Sequence, residues 1–248
     1  MKLKIRGIKI LKKIYGYIRA LVKKISFVGR RRYCPICQRH SRKFDTYGVT
    51  PRPDALCIHC KSLERHRLVW LFLTEKTSLL GGQSCKMLHI APEPCMEKKL
   101  KNTLGNGYVT ADLYRPDVQV KMDIAAIPFA DETYDTIYCS HVLEHVPDDR
   151  KAIREFYRIL KPSGWLLLVV PVNVDKTIED ASITDPQKRL ELFGQDDHVR
   201  KYGPDIIARI RESGFHVKKV LPGDFLSAEQ IHKCGTTVDT PLFYCTKQ

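Results

Sequence analysis

The sequence predicts an α/β fold: a seven-stranded, doubly wound and mostly parallel sheet with a small cysteine-rich module at its N-terminal side. Three observations support this prediction. Short apolar runs alternate with helix-like segments from residue 87 onward, and such alternation produces a parallel sheet covered by helices. The run 165–171 is continuously apolar, which is typical of a strand buried on both faces. Two Cys-x-x-Cys pairs precede the alternating part and stand outside it.

The apolar runs locate the individual elements. We expect strands at 87–91, 108–112, 118–122, 134–139, 165–171, 215–221 and 242–246. We expect helices at 96–104, 147–160 and 204–212, because glycines or a Pro-Ser-Gly stretch follow each of them. Residues 172–203 are polar and too long for a simple connection, which favours a functional role for them.

A further helix is expected after Ser62, which is a plausible N-cap. It ends in six consecutive apolar residues, so we expect it to be buried between the small module and the large domain. The chain then divides into a leader helix at 1–29, a module with its linker helix at 30–80, and the large domain at 81–248.

The net charge of +14 is concentrated at the N-terminal end. Residues 1–32 hold twelve lysines and arginines and no acidic residue, whereas residues 71–248 hold 23 basic and 25 acidic residues. A nucleic-acid role for the large domain therefore gains no support from the total charge.

The leader at 1–29 has the pattern of a basic amphipathic helix, with apolar residues spaced by three and four from Ile5 to Ile25. Three interpretations stay open: peripheral contact with an anionic membrane surface, packing on the chain's own domain, and contact with RNA phosphates. The nine cysteines, an odd number without a secretory signal pattern, favour a reducing compartment. We therefore expect a cytoplasmic protein that contacts the inner face of the membrane if the first interpretation holds.

The two Cys-x-x-Cys pairs form a four-thiolate zinc pattern. They are Cys34/Cys37 and Cys57/Cys60, with nineteen residues between the pairs. The two-residue gap lets both sulfurs of a pair face one ion, and four thiolates complete a tetrahedron. We expect a structural Zn²⁺ in a ribbon-like module; a site that has lost its metal, or a set of reversible thiols, is the alternative.

Polar residues follow the predicted strands of the large domain. Asp112 ends the second strand, nineteen residues after Glu93, and an acid so placed accepts the hydroxyls of a ribose. Asp123 ends the third strand, and Cys139-Ser-His-Val-Leu-Glu-His145 follows the fourth. Ligands bind at the carboxyl ends of the strands in such sheets, so these residues indicate a site for a nucleoside cofactor.

The block Asp123–His145, with its Pro-Phe, Tyr-Asp and Val-Leu-Glu-His motifs, and the Leu-Lys-Pro-Ser-Gly stretch at 160–164 carry a family resemblance. With them, residues 87–171 resemble the class I S-adenosylmethionine-dependent methyltransferases, most closely the type 11 group, which have a Rossmann-like fold. The chain also resembles a bacterial subgroup with a leading Cys-x-x-Cys…Cys-x-x-Cys module, a Ser-Leu-Glu-Arg-His-Arg helix and a His-Ile-Ala-Pro-Glu first motif. The resemblance covers about residues 33–221 and implies S-adenosyl-L-methionine as the cofactor.

The resemblance assigns roles to individual positions. Asp112 would bind the ribose, Asp123 the adenine amine, and Ser140, His141 and His145 would border the methyl-transfer site. The full set of cofactor positions is His89, Ala91, Glu93, Asp112, Leu113, Asp123, Ile124, Ser140 and His145. The fourth strand carries no Pro-Cys and no Asn-Pro-Pro-Tyr or Asp-Pro-Pro-Tyr motif, which speaks against cytosine-C5 and adenine-N6 methylation and leaves oxygen, nitrogen or other acceptors open.

The first motif departs from the family pattern. His89 stands where the family has an acid, and Ala91 and Glu93 stand where it has glycines. Alanine disfavours positive φ, and Pro92 removes a backbone donor. Either cofactor binding is lost and the domain is a scaffold, or Glu93 replaces the missing acid at a helix N-terminus and faces the methionine ammonium. We favour the second interpretation.

The segment 193–202 is the predicted lid over the methyl acceptor. We expect Asp197, Arg200 and Tyr202 to contact the substrate, with His198 or His141 as the catalytic base. A capping loop held by local salt bridges is the alternative, and the histidines could equally be half-buried residues satisfied by neighbouring backbone.

The sequence therefore favours a methyltransferase that acts on a small-molecule, glycan-linked or lipid-linked acceptor. The alternatives are an RNA base methyltransferase with a zinc-ribbon RNA-binding module, and a non-catalytic scaffold that kept the fold. RNA is the weaker alternative, because the large domain is not basic and the zinc region lacks a run of stacking aromatic residues.

Overall fold

The computed structural model describes residues 25–48, 50–82 and 84–247. Residues 1–24 of the predicted leader helix lie outside this part. The small module consists of two antiparallel hairpins: β1 (Arg32–Cys34) pairs with β2 (Arg39–Ser41), and β3 (Asp45–Tyr47) pairs with β4 (Arg52–Leu56).

Helix α1 (Glu64–Lys76) connects the module to the large domain. Its N-cap is Leu63, so the prediction that Ser62 caps it was wrong. The Ser62 hydroxyl lies instead 3.3 Å from the sulfurs of both Cys34 and Cys60. Residues 66–73 of the helix are buried, and the Phe72 ring lies 5.6 Å from that of Phe225 in the large domain. The expected burial of this helix is confirmed.

The large domain contains the predicted seven-stranded sheet, in the order β12-β13-β9-β8-β5-β6-β7 within the described residues. The pairs among β9, β8, β5, β6 and β7 are parallel, and β13 is antiparallel to both β12 and β9. The strands are β5 (Met87–Ile90), β6 (Tyr108–Asp112), β7 (Val120–Lys121), β8 (Tyr134–Ser140), β9 (Leu160–Val169), β12 (His216–Val220) and β13 (Leu242–Thr246). The α/β fold class predicted from the sequence is confirmed.

Helices and a small insertion complete the domain. The helices are α2 (Pro94–Leu104), α3 (Asp149–Ile159), α4 (Pro186–Phe193), α5 (Ile206–Arg211) and α6 (Ala228–Cys234). The long segment after β9 contains α4 and a two-stranded ribbon, in which β10 (Ile178–Glu179) pairs with β11 (Arg200–Lys201). Two apolar clusters cover the two faces of the sheet, one around Phe156 and the other around Phe72 and Met87.

Some element boundaries differ from the predictions. Helix α3 begins at Asp149 rather than 147, because the Asp148 side chain caps it by accepting from the Lys151 amide at 2.8 Å. Strand β9 begins at Leu160, directly after that helix, and not at Trp165. None of the described helices is both long enough and apolar enough to cross a bilayer.

Candidate active site

The four predicted zinc ligands meet in the small module. One sulfur from each of Cys34, Cys37, Cys57 and Cys60 lies within 4.8 Å of every other. The Cys34–Cys60 sulfur distance is 3.5 Å and the Cys37–Cys57 distance is 3.8 Å. Zn–S bonds of about 2.3 Å in a tetrahedron place sulfurs at such separations, so the residues fit a structural zinc ion.

The carboxyl ends of three adjacent strands meet at one edge of the sheet. Ile90 in β5 lies opposite Ala111 in β6 and Cys139 in β8. The next residue of each strand, namely Ala91, Asp112 and Ser140, therefore lies at the same edge. Parallel sheets of this kind bind their ligands at such an edge.

Two residues at this edge have positive φ, namely Ala91 with 47° and His141 with 54°. Each is tied to the neighbouring strand, because the Ala91 amide donates to Ala111 O and the His141 amide donates to Val169 O, both at 2.8 Å. The turn after β5 thus adopts the left-handed conformation that glycine would favour, although alanine occupies it. Strained backbone of this type clusters at functional sites.

Glu93, the N-cap residue of α2, directs its carboxylate back toward the sheet. It accepts hydrogen bonds from His89 Nε2 at 2.7 Å and from the Tyr138 hydroxyl at 2.9 Å. The other His89 nitrogen, Nδ1, lies 2.8 Å from the Tyr108 hydroxyl. Because Nε2 donates to Glu93, a neutral His89 accepts from Tyr108 at Nδ1.

Glu93 is ionised at neutral pH. Burial acts to raise its pKa, but the hydrogen bond from His89, the positive charges that His89 and His66 carry when protonated, and the hydrogen bond from Tyr138 lower that pKa to about 2. The Nε2 atom of His66, from α1, lies 3.9 Å from the carboxylate, is buried and has no hydrogen-bond partner. Burial lowers the pKa of His66 to about 4, so this ring is neutral at neutral pH.

These contacts bear on two predicted cofactor positions. His89, predicted as a cofactor contact, is fully buried, so its side chain offers no surface to a ligand in this structure. It acts on the site through Glu93, whose carboxylate lies beside the position where the family has its acid. His66 Nε2, which has no hydrogen-bond partner, lies next to the ionised Glu93 carboxylate. This pair fits a polar ligand that carries both hydrogen-bond donors and acceptors, such as the amino-acid end of S-adenosylmethionine.

The remaining predicted cofactor residues lie along the same edge. Asp112 accepts from the amides of Tyr114 and Arg115, at 2.7 and 2.8 Å, through its Oδ1 atom. Leu113, beside it, is exposed. Asp123 follows β7 and is exposed, while its neighbour Ile124 is buried.

The predicted lid brings further polar groups onto the turn after β8. The Val199 amide donates to Glu144 O at 2.9 Å, which holds the lid on the turn Leu143–His145. His145 Nδ1 lies 3.2 Å from Asp197 Oδ2, and the rings of His145 and His198 meet edge to face at 4.6 Å. His141 Nδ1 lies 3.2 Å from Glu144 Oε1. The structure therefore brings four of the predicted residues together around Glu144, which sequence reasoning had not assigned.

Two predicted substrate contacts are framework residues instead. Arg200 is buried and donates to Leu143 O and Pro147 O, each at 2.8 Å, and also to Val146 O. Tyr202 is fully buried and donates to Asp149 Oδ2 at 2.7 Å. Neither side chain has surface left for a substrate in this structure, because both are used to hold the turn after β8.

His198, predicted as a base, is also buried, with 6% of its surface exposed. Burial lowers its pKa, and the neighbouring His145 lowers it further. His141 is better placed for proton transfer, because about a third of its side chain (31%) is exposed and it lines a cleft.

That cleft has a volume of about 280 Å³ and lies between the small module and the large domain. Its walls are Arg52, Glu64, Arg65, His141, residues 170–173, Thr237 and residues 239–241. Sequence reasoning missed Arg52 and Arg65. Arg52 lies within the four-cysteine module and Arg65 in the first turn of the helix that follows it. Only this position beside the module could have indicated them from the sequence.

Comparisons with known proteins agree with this architecture. Residues 80–168 match a family model described as a methyltransferase domain. The ubiquinone/menaquinone biosynthesis C-methyltransferase UbiE of Klebsiella pneumoniae is 35% identical over 97 residues, which span 39% of this chain and 37% of that protein. The Escherichia coli O1:K1 protein of the same name is 36% identical over the same shares. The chain thus spans less than two fifths of the length of these relatives.

Among solved structures, an S-adenosylmethionine-dependent methyltransferase from Mesorhizobium loti is similar with a TM-score of 0.51 and 13% identity. The match covers 73% of this chain and 98% of that one, and shows a common fold. Residues 80–168 of the chain are therefore a methyltransferase-type domain, built on a Rossmann-like sheet.

Proposed function

We propose that the protein is an S-adenosylmethionine-dependent methyltransferase that transfers a methyl group to an oxygen or nitrogen atom of a small-molecule, glycan-linked or lipid-linked acceptor. The observation that carries this proposal is the meeting of Ala91, Asp112 and Ser140 at one sheet edge, beside the ionised Glu93. The methyltransferase domain matched at 80–168 supports it.

The residues at this edge suit the parts of the cofactor. Asp112 would accept the ribose hydroxyls, and Asp123 would accept from the adenine amine while Ile124 packs on the ring. Glu93, held ionised by His89 and Tyr138, would attract the methionine ammonium. The bound cofactor supplies a methyl group already activated on a sulfonium, so the chain mainly orients the reactants and receives a proton. His141, which lines the cleft, would receive this proton.

The cleft beside His141 is the proposed acceptor site. Arg52 lies in β4 and Arg65 at the start of α1, so the small module forms one wall of this cleft. Arg52 is paired with Glu64 at 3.0 Å, and the Nε atom of the Arg65 guanidinium is buried without a hydrogen-bond partner. An acceptor that carries a carboxylate or phosphate would complement Arg65. A structural zinc in the four-cysteine site would fix this wall in place.

We do not propose that this chain methylates the same acceptor as the UbiE proteins. Their name assigns them C-methylation in quinone biosynthesis, but the domain match at 80–168 contains neither arginine of the cleft. Carbon methylation therefore enters as one outcome of the acceptor assay.

Cofactor binding is tested by calorimetric titration of the full chain with S-adenosylmethionine and S-adenosylhomocysteine. We expect Asp112→Ala to weaken both by at least about tenfold, which is about 1.4 kcal/mol. Asp175→Ala, at an exposed position in the segment after β9, is the matched control and should bind as the wild type does. If the wild type binds neither compound, the scaffold interpretation replaces the enzyme.

The acceptor class is tested by measuring S-adenosylhomocysteine release with small molecules, glycans and lipids that do and do not carry an anionic group. Turnover with anionic compounds that falls in Arg65→Gln supports the proposed site. Salt-dependent RNA binding that survives deletion of residues 1–29, with turnover on RNA, would favour the RNA base methyltransferase instead. Loss of vesicle binding on the same deletion would assign the leader to peripheral membrane contact.

A further inference from the structure

The turn after β8 and the lid bring a carboxylate and two imidazoles together outside the four-cysteine site. One ligand atom from each of Glu144, His145 and His198 lies within 4.8 Å of the other two. Residues 143–145 form a single 3₁₀ turn, and the lid lies on it through the Val199–Glu144 backbone bond. The group is therefore assembled by two separate segments of the chain.

Three atoms of this group are buried without a hydrogen-bond partner. They are both carboxylate oxygens of Glu144 and the Nε2 atom of His198. The Glu144 side chain is 1% exposed, so bulk solvent does not reach it. The His141 ring, whose Nδ1 lies 3.2 Å from Oε1, is an ion-pair partner of Glu144 when protonated, and it leaves Oε2 and the His198 nitrogen unserved. Buried polar atoms left in this state call for an ion or another ligand.

The surrounding contacts orient these atoms as metal ligands are oriented in proteins. His198 Nδ1 faces Phe193 O at 3.3 Å, and a donor bond there leaves the Nε2 lone pair for an ion. His145 has Asp197 3.2 Å from its Nδ1, which is the carboxylate–histidine pairing that raises the basicity of a ligating imidazole. Arg200 fixes the turn that carries Glu144 by donating to the Leu143 and Pro147 carbonyls.

We propose that Glu144, His145 and His198 bind a divalent transition-metal ion, separate from the zinc of the cysteine module. Two imidazoles and one carboxylate suit Zn²⁺, Fe²⁺, Co²⁺ or Mn²⁺ better than Mg²⁺ or Ca²⁺, which prefer oxygen ligands. Three protein ligands leave coordination positions open. His141, 3.2 Å from Glu144, lines the cleft, so the ion would lie close to the proposed acceptor site; that relation alone rests on the proposed function.

The binding test titrates the full chain with Co²⁺, because the absorption of bound cobalt distinguishes the four-cysteine site from the proposed site. Cobalt bound by four thiolates shows intense sulfur-to-metal charge-transfer absorption, whereas cobalt on imidazole and carboxylate shows only weak visible bands. With the cysteine site filled by zinc, we expect one further equivalent of Co²⁺ to bind, without charge-transfer absorption. Glu144→Gln should weaken this equivalent by at least about 100-fold, and His216→Ala, on the exposed edge of β12, should leave it unchanged.

A stability measurement keeps the test independent of the variant's folding. Glu144→Gln conserves shape and removes the buried charge, so the metal-free variant should melt at or above the temperature of the metal-free wild type. Added Co²⁺ or Mn²⁺ should raise the melting temperature of the wild type and not that of the variant. A wild type that binds no second equivalent, or a variant that binds it equally well, would overturn the proposal. Neither result depends on whether the protein transfers methyl groups.

Discussion

Glu93→Gln removes the charge on which the buried pair of Glu93 and His89 depends. The folded-state pKa of Glu93 is about 2 against an ordinary value of 4.5, and its side chain is only 12% exposed. A depression of this size corresponds to about 3 kcal/mol of stability at neutral pH. The amide can accept from only one of its two donors, so we expect the variant to lose about 2–3 kcal/mol at pH 7.

The pH dependence gives the sharper test of Glu93. Because its folded pKa lies below the unfolded one, its contribution is complete above the unfolded value of 4.5 and disappears as the pH falls toward 2. His66, whose folded pKa of about 4 lies below its ordinary 6.5, adds a separate loss as the pH falls between these values. Urea unfolding from pH 7 to 3 should therefore show two windows of acid destabilisation in the wild type.

In Glu93→Gln the loss of stability in the lower window should shrink by the Glu93 contribution, while other carboxylates of lowered pKa, such as Glu179, keep the rest of it. The upper window should remain. Glu97→Gln is the matched control, because Glu97 lies on the same helix and pairs with Arg115 at the surface, where such a pair is worth at most about 1 kcal/mol. An unfolding free energy for Glu93→Gln within about 0.5 kcal/mol of the wild type at pH 7, with the lower window intact, would refute this reasoning. Calorimetry on the same variant tests the cofactor role: unchanged S-adenosylmethionine affinity would show that Glu93 is structural only.

Three further substitutions test the metal module and the framework of the lid. Cys57→Ser should lose the zinc expected in the four-cysteine module, as measured by elemental analysis. It should also lower the melting temperature by more than about 4 °C, since each kcal/mol of lost stability lowers it by about 2–4 °C at this chain length. Full zinc content in the variant would contradict the four-cysteine site. Arg200→Lys should cost about 2–3 kcal/mol in urea unfolding, because lysine cannot serve the carbonyls at both ends of the turn, whereas Arg150→Lys, in an exposed pair with Glu212, should change little. Tyr202→Phe should cost about 1–2 kcal/mol with an unchanged KM, and a raised KM at unchanged stability would restore its predicted role as a substrate contact.

The strand ends of the site could be predicted because they depend on local order along the chain. Asp112 and Asp123 follow apolar runs, and parallel pairing then brings such ends to one edge without further information. Arg200 and Tyr202 could not be assigned correctly in this way. Polar residues in a long loop are typical of an exposed lid, and only the packing of the loop on the turn after β8 shows that both are buried.

Glu93 and Ser62 show a second limit of sequence reasoning. Each stands where a helix-capping role is the simplest interpretation, and each directs its side chain elsewhere: Glu93 toward His89 and Tyr138, Ser62 toward the module's sulfurs. The competing partners of Glu93 lie on two strands of the sheet, His89 four residues away in β5 and Tyr138 in β8, and those of Ser62 lie in the four-cysteine module. Helix-capping propensity describes only the bond from a side chain to a nearby backbone amide. It cannot predict that a side-chain partner on the sheet or in the module will compete, because that contact forms only in the folded protein.

The variant first motif and the turn after β8 have the same construction. Ala91 and His141 both have positive φ at the end of a strand, and each is held by an amide bond to the neighbouring strand. A left-handed alanine is less stable than glycine by about 1 kcal/mol, a cost comparable to the net value of one hydrogen bond such as that from the Ala91 amide to Ala111 O. The absence of glycine therefore does not prevent a left-handed residue at the end of β5. Two residues after Ala91, the Glu93 side chain is anchored to His89 and Tyr138, so this polar cluster both positions the carboxylate and ties the start of α2 to the sheet.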